Sequence, residues 1–314
     1  MENLIFSLNA TLPVFLLMLI GFVFRHIGWM EEDFAYKINK LVFRIGLPMK
    51  VFLDLATVDF AQSWNGRFVL FCFGVTLISI AITAVISFCW KDKSMQGEFI
   101  QASYRSSAAL LGLVLIQNIY GNSGMAPMMI IGSVPLYNIF AVLILSFFGK
   151  KKKGLDKATI KKSLIGIITN PIIIAIALGL VWSALRIPMP SLVNKTASHI
   201  ANIATPMGLM AMGATFDWNK AFAKIKPALV STFIKIIGLA AIFVPIAVAL
   251  GFRNSELVAI LVMLGSATTF SCYVMAKNMG HEGTLTSSVV MLSTMLCAFT
   301  LTGWLYLLKT LALI

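Results

Sequence analysis

The sequence predicts an all-α polytopic membrane protein: ten transmembrane helices form two inverted five-helix repeats, with crossed, interrupted helices 4 and 9. Three observations lead to this prediction: a strongly apolar composition, ten apolar runs of membrane-spanning length, and a residue pattern that recurs between the two halves. Of the 314 residues, 59% are hydrophobic and only 12% are charged, whereas soluble domains carry about 25% charged residues. The chain therefore has too little polar surface for a water-soluble fold.

Apolar runs of about 20 residues are long enough to cross the roughly 30 Å hydrocarbon core of a bilayer. The first run is too long for the apolar region of a signal peptide, and it lacks a basic flank and a small-residue cleavage site. It is therefore interpreted as a membrane helix, and little sequence is left for a soluble domain. The ten predicted spans are residues 3–24, 35–58, 67–90, 97–118, 124–148, 163–185, 196–216, 227–250, 256–279 and 285–308.

The net charge of +13 follows the predicted topology rather than a nucleic-acid-binding surface. Fifteen of the 25 Lys and Arg residues lie in or beside the odd-numbered loops, and cytoplasmic loops carry the excess of basic residues. We therefore expect a multi-pass protein of the cell membrane with cytoplasmic odd-numbered loops and both termini outside. The basic run GKKKKGLDKATIKK, residues 149–162, is predicted to bind anionic lipid of the bilayer. No nucleic-acid partner is expected.

The sequence lacks the motifs of an ATP-driven pump or a hydrolase. It contains no G-x-x-x-x-G-K-[ST], H-E-x-x-H or G-x-S-x-G, and its three His residues are scattered. Four Cys residues lie inside predicted spans without paired spacing, which favours buried thiols over disulfides or metal ligands. No enzymatic activity, cofactor or metal site is expected.

One spacing relates the two halves of the chain. Five pairs lie 158 positions apart: Pro13 with Pro171, Gly21 with Gly179, Pro48 with Pro206, Asp59 with Asp217, and Glu98 with Glu256. This register predicts a first repeat over residues 1–148 and a second over 163–314, joined by the basic cytoplasmic loop 149–162. Because five is an odd number, the second repeat enters the membrane from the opposite side. Inverted repeats are typical of secondary transporters, whose site lies near the midplane where the halves meet.

Helices 4 and 9 concentrate small and hydroxyl-bearing residues near the bilayer centre. Helix 4 begins near Gln96, so Arg105 to Ser107 lie roughly 13–17 Å along it at 1.5 Å per residue. The equivalent depth of helix 9 falls at Ser266 to Thr268. Small side chains allow another backbone to approach, and hydroxyls satisfy backbone groups freed where a helix is interrupted. The two helices are therefore predicted to cross there and to line a common cavity.

Arg105 is the most informative residue of this region. An arginine at the bilayer centre costs at least about 2.5–3.5 kcal/mol on insertion scales, and its planar guanidinium suits a carboxylate. A small organic anion is therefore the expected ligand. The alternative is that Arg105 pairs with a protein carboxylate, of which only Glu98 is near in sequence, or snorkels toward the cytoplasm. The predicted substrate-binding residues are Arg105, Ser106, Ser107, Asn138, Ser266, Thr268, Thr269, Ser271 and Tyr273.

Other charged residues within the spans receive separate predictions. Lys50 and Asp54 are spaced i,i+4 on helix 2, where their side chains can meet. They form either a structural ion pair or a site of ion or proton coupling. Lys235 and Lys277 are expected to snorkel toward the membrane surface.

The chain resembles the auxin efflux carrier family in segments that run its length: INKLVFRIGLP, RSSAALLG followed by IYG, PLYN, NPIIIAIALG, TPMGLMAMGA and CYVMAKNMG. The resemblance implies a helix crossing like that of bile-acid carriers and sodium/proton antiporters. It also implies a scaffold part from helices 1, 2, 6 and 7, a transport part from the rest, and a homodimer through the scaffold helices. Family members often have an asparagine in helix 4 and a proline at each crossover, where this sequence has Ser107, Val114 and Ala267.

The sequence thus predicts a secondary transporter, a permease or efflux carrier, for small organic anions such as mono- or dicarboxylates. It would work by alternating access, with the substrate at the crossover of helices 4 and 9. A non-transporting sensor or receptor on a carrier fold is one alternative, but its signalling domain would not fit in the short loop 149–162. A channel is the other, and the paired breaks in inverted repeats favour rocking over a fixed pore.

Overall fold

The computed structural model describes residues 13, 16–56, 65–108, 116, 119–120, 124–148, 165–166 and 168–314. Across these ranges the secondary structure is helical, and the only β-type pairing is an isolated antiparallel bridge between Ser106 and Thr268. The part of the chain that is described is therefore all-helical, as the apolar periodicity predicts.

Fourteen α-helices are defined within the described ranges. They are α1 (Leu16–His26), α2 (Glu32–Leu41), α3 (Leu47–Ala56), α4 (Gly66–Ser87), α5 (Gln96–Tyr104), α6 (Ala126–Phe147), α7 (Pro171–Ala184), α8 (Ser191–Ala214), α9 (Trp218–Ala223), α10 (Ile225–Phe233), α11 (Leu239–Ala249), α12 (Asn254–Gly265), α13 (Ser271–Asn278) and α14 (Thr284–Thr310). One π-helical segment, Val42–Gly46, joins α2 to α3, and another, Ile234–Gly238, joins α10 to α11.

Several of these helices have the length and composition of membrane spans. In the described residues, four stretches are long and apolar enough to cross a bilayer: α4, α6, α14, and the continuous stretch Ile225–Ala249 that contains α10 and α11. Large apolar side chains on outer helices are exposed, for example Leu70 at 71% and Leu192 at 76%. Such a surface suits lipid rather than water. These features agree with the predicted polytopic membrane protein.

Some predicted features lie outside the described residues. These are the first twelve residues, Asp59, the crossover position Val114 and the basic loop 149–162. The remaining spans coincide with helices, and the largest differences are at two helix starts: α8 begins at Ser191, five residues before its predicted span, and α7 begins at Pro171, eight residues after the start of its span at residue 163.

The fourth and ninth predicted spans both leave the helical conformation near their middle. α5 ends at Tyr104, and Arg105 has an extended backbone with φ −77° and ψ 123°. α12 ends at Gly265, Ser266 is extended with φ −78° and ψ 165°, and α13 starts at Ser271. Gly and Ser favour such exits, because Gly is flexible and the Ser hydroxyl competes for backbone hydrogen bonds.

The interrupted helices lie deep inside the molecule. All nine residues of α5 are buried, and so are the nine residues of α12 from Leu257 to Gly265. α4, α6, α10, α11 and α14 pack around them, while α3, α7 and α8 pack together on the other side of the crossing. Because neither lipid nor bulk water reaches the ends of α5 and α12, their backbone groups need partners inside the protein.

Candidate functional site

A small cavity lies beside the bridge between Ser106 and Thr268. Its volume is about 60 Å³, and its wall comes from α3, α6 and the extended segments that follow α5 and precede α13. Eight of the eleven side chains predicted for substrate binding or coupling line it: Lys50, Asp54, Arg105, Ser106, Ser107, Asn138, Thr269 and Ser271. The fold therefore gathers residues from distant parts of the sequence around one space.

Arg105 is buried at the wall of this cavity, with 2% of its surface exposed. Its Nη2 donates to Asn138 Oδ1 at 2.9 Å and to Ser271 Oγ at 3.1 Å. Its Nη1 lies 2.9 Å from Met275 Sδ, while Nε has no hydrogen-bond partner among the described residues. The partners found there are all neutral, so the guanidinium is held in position without compensation of its charge.

Glu98, the acidic residue nearest to Arg105 in the sequence, is occupied elsewhere. Its carboxylate accepts hydrogen bonds from the backbone N–H groups of Gly283 at 2.9 Å and Thr286 at 3.0 Å, and from the Thr286 hydroxyl at 3.0 Å. It therefore caps the start of α14. Within the described ranges Arg105 forms no ion pair, so the expected alternative of a protein carboxylate partner is not seen there.

The start of α13 adds to the positive character of the cavity. Ser271, the first residue of α13, lines the cavity, and its Oγ lies 3.2 Å from Thr269 Oγ1. The N-terminus of a helix carries a partial positive charge. Arg105 and this helix end together make the cavity favourable for an anion, and the two hydroxyls can donate hydrogen bonds to it.

Lys50 and Asp54 lie on α3 and face the same cavity. Lys50 Nζ is 3.9 Å from Asp54 Oδ1, so the i,i+4 pair is formed, and each side chain keeps about a fifth to a quarter of its surface exposed. The i,i+4 spacing predicts the ion pair between Lys50 and Asp54. The position of this pair beside Arg105 depends on how α3 packs against the crossing, and no local sequence pattern predicts that packing.

Three of the predicted side chains do not line the cavity. Thr268 Oγ1 donates to Ala102 O at 2.8 Å, and Ser266 is fully buried with no partner for its hydroxyl in the described part of the chain. Tyr273 points toward the end of α8, where its hydroxyl is bonded to Thr215 Oγ1. The prediction assigns all three to the common cavity; the structure instead places Thr268 in the frame of the crossing and Tyr273 at a helix contact.

Two side chains that hold the crossing together, Gln101 and Tyr137, were not predicted, and the predicted residue Ser106 joins them. Gln101 Nε2 donates to Cys272 O at 2.9 Å, Tyr137 OH donates to Met263 O at 3.1 Å, and the Ser106 hydroxyl also donates to Met263 O. The backbone adds Ser107 N–H to Ala267 O at 2.9 Å. The signal for Gln101 was present, because it is an amide inside an apolar run.

The prediction that Lys235 snorkels to the membrane surface is wrong. Lys235 is fully buried, and its ammonium donates to the backbone carbonyl of Leu264 at the end of α12.

Lys277 is partly buried and lines a separate polar cavity of about 650 Å³ near the ends of α1 and α8. Among the described residues, no group of three His, Cys, Asp or Glu side chains could hold a metal ion.

Comparison with known proteins identifies the family. Residues 6–305 match the family model described as "Membrane transport protein". A protein called an uncharacterized transporter from Methanothermobacter thermautotrophicus is 19% identical over 95% of this chain and 97% of its own. The uncharacterized transporter YfdV of Escherichia coli is 24% identical over 84% of this chain and 85% of its own, and an uncharacterized transporter of Methanocaldococcus jannaschii is 23% identical over 67% and 69%. The chain belongs to the membrane transport protein family, the auxin efflux carrier family that its sequence resembles.

Proposed function

We propose that this protein is a secondary transporter of small organic anions such as mono- or dicarboxylates, and that the anion binds in the cavity beside Arg105. The observation that carries the proposal is the buried guanidinium itself, whose described partners are neutral and whose Nε has none. An uncompensated buried charge is costly, and a carboxylate in the cavity would neutralise it with charge-assisted hydrogen bonds.

The size of the cavity favours a small ligand. At about 60 Å³ it is well below the roughly 300–1,000 Å³ of pockets for drug-sized molecules. Ser107, Thr269 and Ser271 would donate hydrogen bonds to the anion, while Lys50 adds a second positive charge. The pair of Lys50 and Asp54 is the candidate for ion or proton coupling, because Asp54 is the only carboxylate among the described residues that line the cavity.

Transport by alternating access requires two equivalent halves of the protein whose roles can be exchanged. We propose that the chain forms these halves as two inverted repeats, with ten helices in all. Glycine contacts support this arrangement. A Cβ on Gly21 would collide with Met210 O, and a Cβ on Gly179 would lie 3.0 Å from Phe52 O. Adding 158 to Gly21 gives Gly179, and adding it to Phe52 gives Met210, so the two contacts are copies related by the sequence repeat.

A third contact has the geometry expected at an axis relating the two repeats. Gly46 packs on Ala204, so closely that a Cβ on Gly46 would lie 2.9 Å from Ala204 Cβ. These two residues are themselves 158 positions apart, and equivalent residues touch each other only near an axis that exchanges the repeats. Two helix caps are related in a similar way: Glu98 accepts from Gly283 N–H, and Ser255 Oγ accepts from Met125 N–H at 2.9 Å. The two donors are 158 positions apart and the two acceptors 157.

The proposal extends to the arrangement in the membrane. Odd-numbered loops would be cytoplasmic and both termini outside in a cell membrane, with α1, α2, α3, α7 and α8 as the scaffold. α3 packs on α7, and α8 packs on α2 and α3, which supports a common scaffold unit. A homodimer through these helices belongs to the same proposal.

Thermal unfolding of the purified protein with a panel of small carboxylates tests the proposal. A ligand that binds only the folded state adds about 2.7 kcal/mol at 100 times its dissociation constant. We expect at least one mono- or dicarboxylate to stabilise the wild type and to have no effect on Arg105→Ala, because the variant lacks the guanidinium. Uptake of the same carboxylate into proteoliposomes then tests transport.

Arg44→Ala is the matched control, since Arg44 is an arginine within a predicted span that does not line the cavity. This variant should keep the full response to the carboxylate. A carboxylate that stabilises wild type and Arg105→Ala equally would overturn the role of Arg105. Stabilisation by cations or neutral solutes alone would overturn the class of substrate.

A further inference from the structure

Lys235 occupies an unusual position for a basic side chain in a membrane span. It belongs to the π-helical segment Ile234–Gly238, which packs against the end of α12, so that a Cβ on Gly265 would lie 3.7 Å from Ile236 O. The Lys235 side chain is fully buried, and its Nζ donates to Leu264 O. In the described residues it forms no ion pair with any carboxylate. π-Helical segments are frequent at functional sites.

The end of α12 is a region of negative potential inside the protein. The last carbonyls of a helix lack partners within the helix and carry its partial negative charge. Val262 O accepts from Ser266 N at 3.1 Å, Met263 O accepts from Ser106 and Tyr137, and Leu264 O accepts from Lys235. Carbonyl ends of interrupted helices are the places where secondary transporters coordinate Na⁺.

Hydrogen bonding alone does not account for a lysine here. The neighbouring carbonyl of Met263 is satisfied by two neutral hydroxyls, so neutral donors could serve Leu264 O as well. A buried ammonium is far more costly to place in a membrane than a hydroxyl. The fold nevertheless directs the amino group of a lysine to Leu264 O, and two residues further along the chain the buried Ser266 hydroxyl has no partner among the described residues. A hydrogen bond to Leu264 O therefore does not explain why a basic residue occupies this position.

We propose that the Lys235 ammonium is a tethered cation, which occupies the carbonyl end of α12 in place of a free monovalent cation. The crossing would then carry its own positive charge through the transport cycle, and the folded state would not require Na⁺ at this position. The role of this tethered cation in transport rests on the proposed function. Its test involves no carboxylate, so it can fail or succeed independently of the role of Arg105.

The test compares thermal unfolding of the purified full chain in sodium, potassium and choline chloride at equal ionic strength. We expect the midpoint of the wild type to be the same in all three salts. Lys235→Ala opens an ammonium-sized space beside Leu264 O. This variant should unfold at lower temperature in choline and regain stability, in a saturable way, with Na⁺ or with propylammonium.

Lys277→Ala is the matched control, because Lys277 is a lysine of a predicted span that lines the separate polar cavity. It should show no specific response to these cations. Equal responses of Lys235→Ala and Lys277→Ala would overturn the proposal. So would a stabilisation by Na⁺ over choline that is as large in the wild type as in Lys235→Ala, since the carbonyl site would then not be filled by Lys235.

Two further variants decide the question if Lys235→Ala does not fold. Lys235→Arg keeps the charge and Lys235→Gln keeps only a neutral donor. We expect the arginine variant to be folded in choline and clearly more stable than the glutamine variant. A glutamine variant as stable as the wild type in choline would overturn the proposal, because a hydrogen bond without charge would then suffice.

Discussion

Arg105 and Lys235 are both buried cations at the crossing, yet their surroundings differ. Arg105 borders a cavity, its hydrogen-bond partners are side chains, and one of its nitrogens is unpartnered in the described residues. Lys235 is not among the described residues that line this cavity, and it binds the carbonyl end of α12. The comparison shows that burial does not by itself make a charge functional toward a ligand. Arg105 differs from Lys235 in the free volume beside it and in the lack of a fixed anionic partner among the described residues, and these two properties are the basis of its proposed role.

We expect substitution of Glu98 to have the largest effect on stability, because its carboxylate is buried and bonded within the fold. Its carboxylate accepts three hydrogen bonds at the start of α14. Hydrogen bonds to charged groups are worth about 1.5–3 kcal/mol each, and unsatisfied donors add to the loss. We expect Glu98→Ala to lower the free energy of unfolding by about 3 kcal/mol and Glu98→Gln to lower it less. Unfolding of both variants in detergent measures this, and an alanine variant as stable as the wild type would contradict it.

Asn138→Asp should place a negative charge beside the Arg105 guanidinium and so compensate its positive charge. Asn138 Oδ1 already lies 2.9 Å from Arg105 Nη2, so an aspartate there would form an ion pair in the cavity wall. We expect the affinity for a stabilising carboxylate to fall by about tenfold or more, which corresponds to about 1.4 kcal/mol. Carboxylate titrations followed by thermal unfolding measure it. Asn138→Ala is the control and should lose less affinity, because it adds no competing charge.

Thr268→Val should weaken the frame of the crossing without touching the cavity. The variant keeps the shape of the side chain but removes the hydrogen bond from Oγ1 to Ala102 O. We expect a loss of about 1 kcal/mol in the free energy of unfolding, with unchanged affinity for carboxylates. Thr302→Val on α14 is the control, since among the described residues the Thr302 hydroxyl bonds to Ala298 O of its own helix and to no other element. Equal losses in the two variants would argue against a special role for the crossing.

The smallest effect is expected from an exposed carboxylate at a helix start. Asp217 Oδ1 accepts from Lys220 N–H at 3.1 Å, and this backbone hydrogen bond holds the pKa of Asp217 below its usual value. A lowered pKa in the folded state means that the stabilisation is present above the unfolded pKa of about 3.9 and is lost as the pH falls through the folded pKa. The difference in thermal midpoint between the wild type and Asp217→Asn should therefore shrink slightly in that acidic range. A difference that grows there would contradict this assignment.

Composition and periodicity were sufficient to predict the helices of the described residues, four stretches of which are long and apolar enough to span a membrane, and the positions where two predicted spans leave the helical conformation. The exits near Arg105 and Ser266 were visible because small and hydroxyl-bearing residues replace apolar ones at one depth. The family assignment was also accessible from short segments in a fixed order. These features are local, or they depend on a single register along the chain.

The direction of individual side chains could not be predicted in the same way. Thr268 and Tyr273 do not line the cavity, because their hydroxyls bond elsewhere: Thr268 Oγ1 to Ala102 O and Tyr273 OH to Thr215 Oγ1. The burial of Lys235 follows from the packing of its π-helical segment against α12. Such contacts join residues far apart in sequence, and a single sequence contains no spacing that records them.

The crossing is joined partly by residues that line the cavity wall, such as Ser106 and Tyr137, and partly by groups that do not. Ser107 N–H bonds to Ala267 O through backbone atoms alone, and Gln101 and Thr268 bind carbonyls from positions outside the cavity. Side chains such as Asn138, Thr269 and Ser271 are therefore largely released from maintaining the fold. If the cavity is the proposed binding site, natural variation or laboratory selection could exchange these side chains and admit a different solute while the crossing persists. Specificity would then change without any change in the fold.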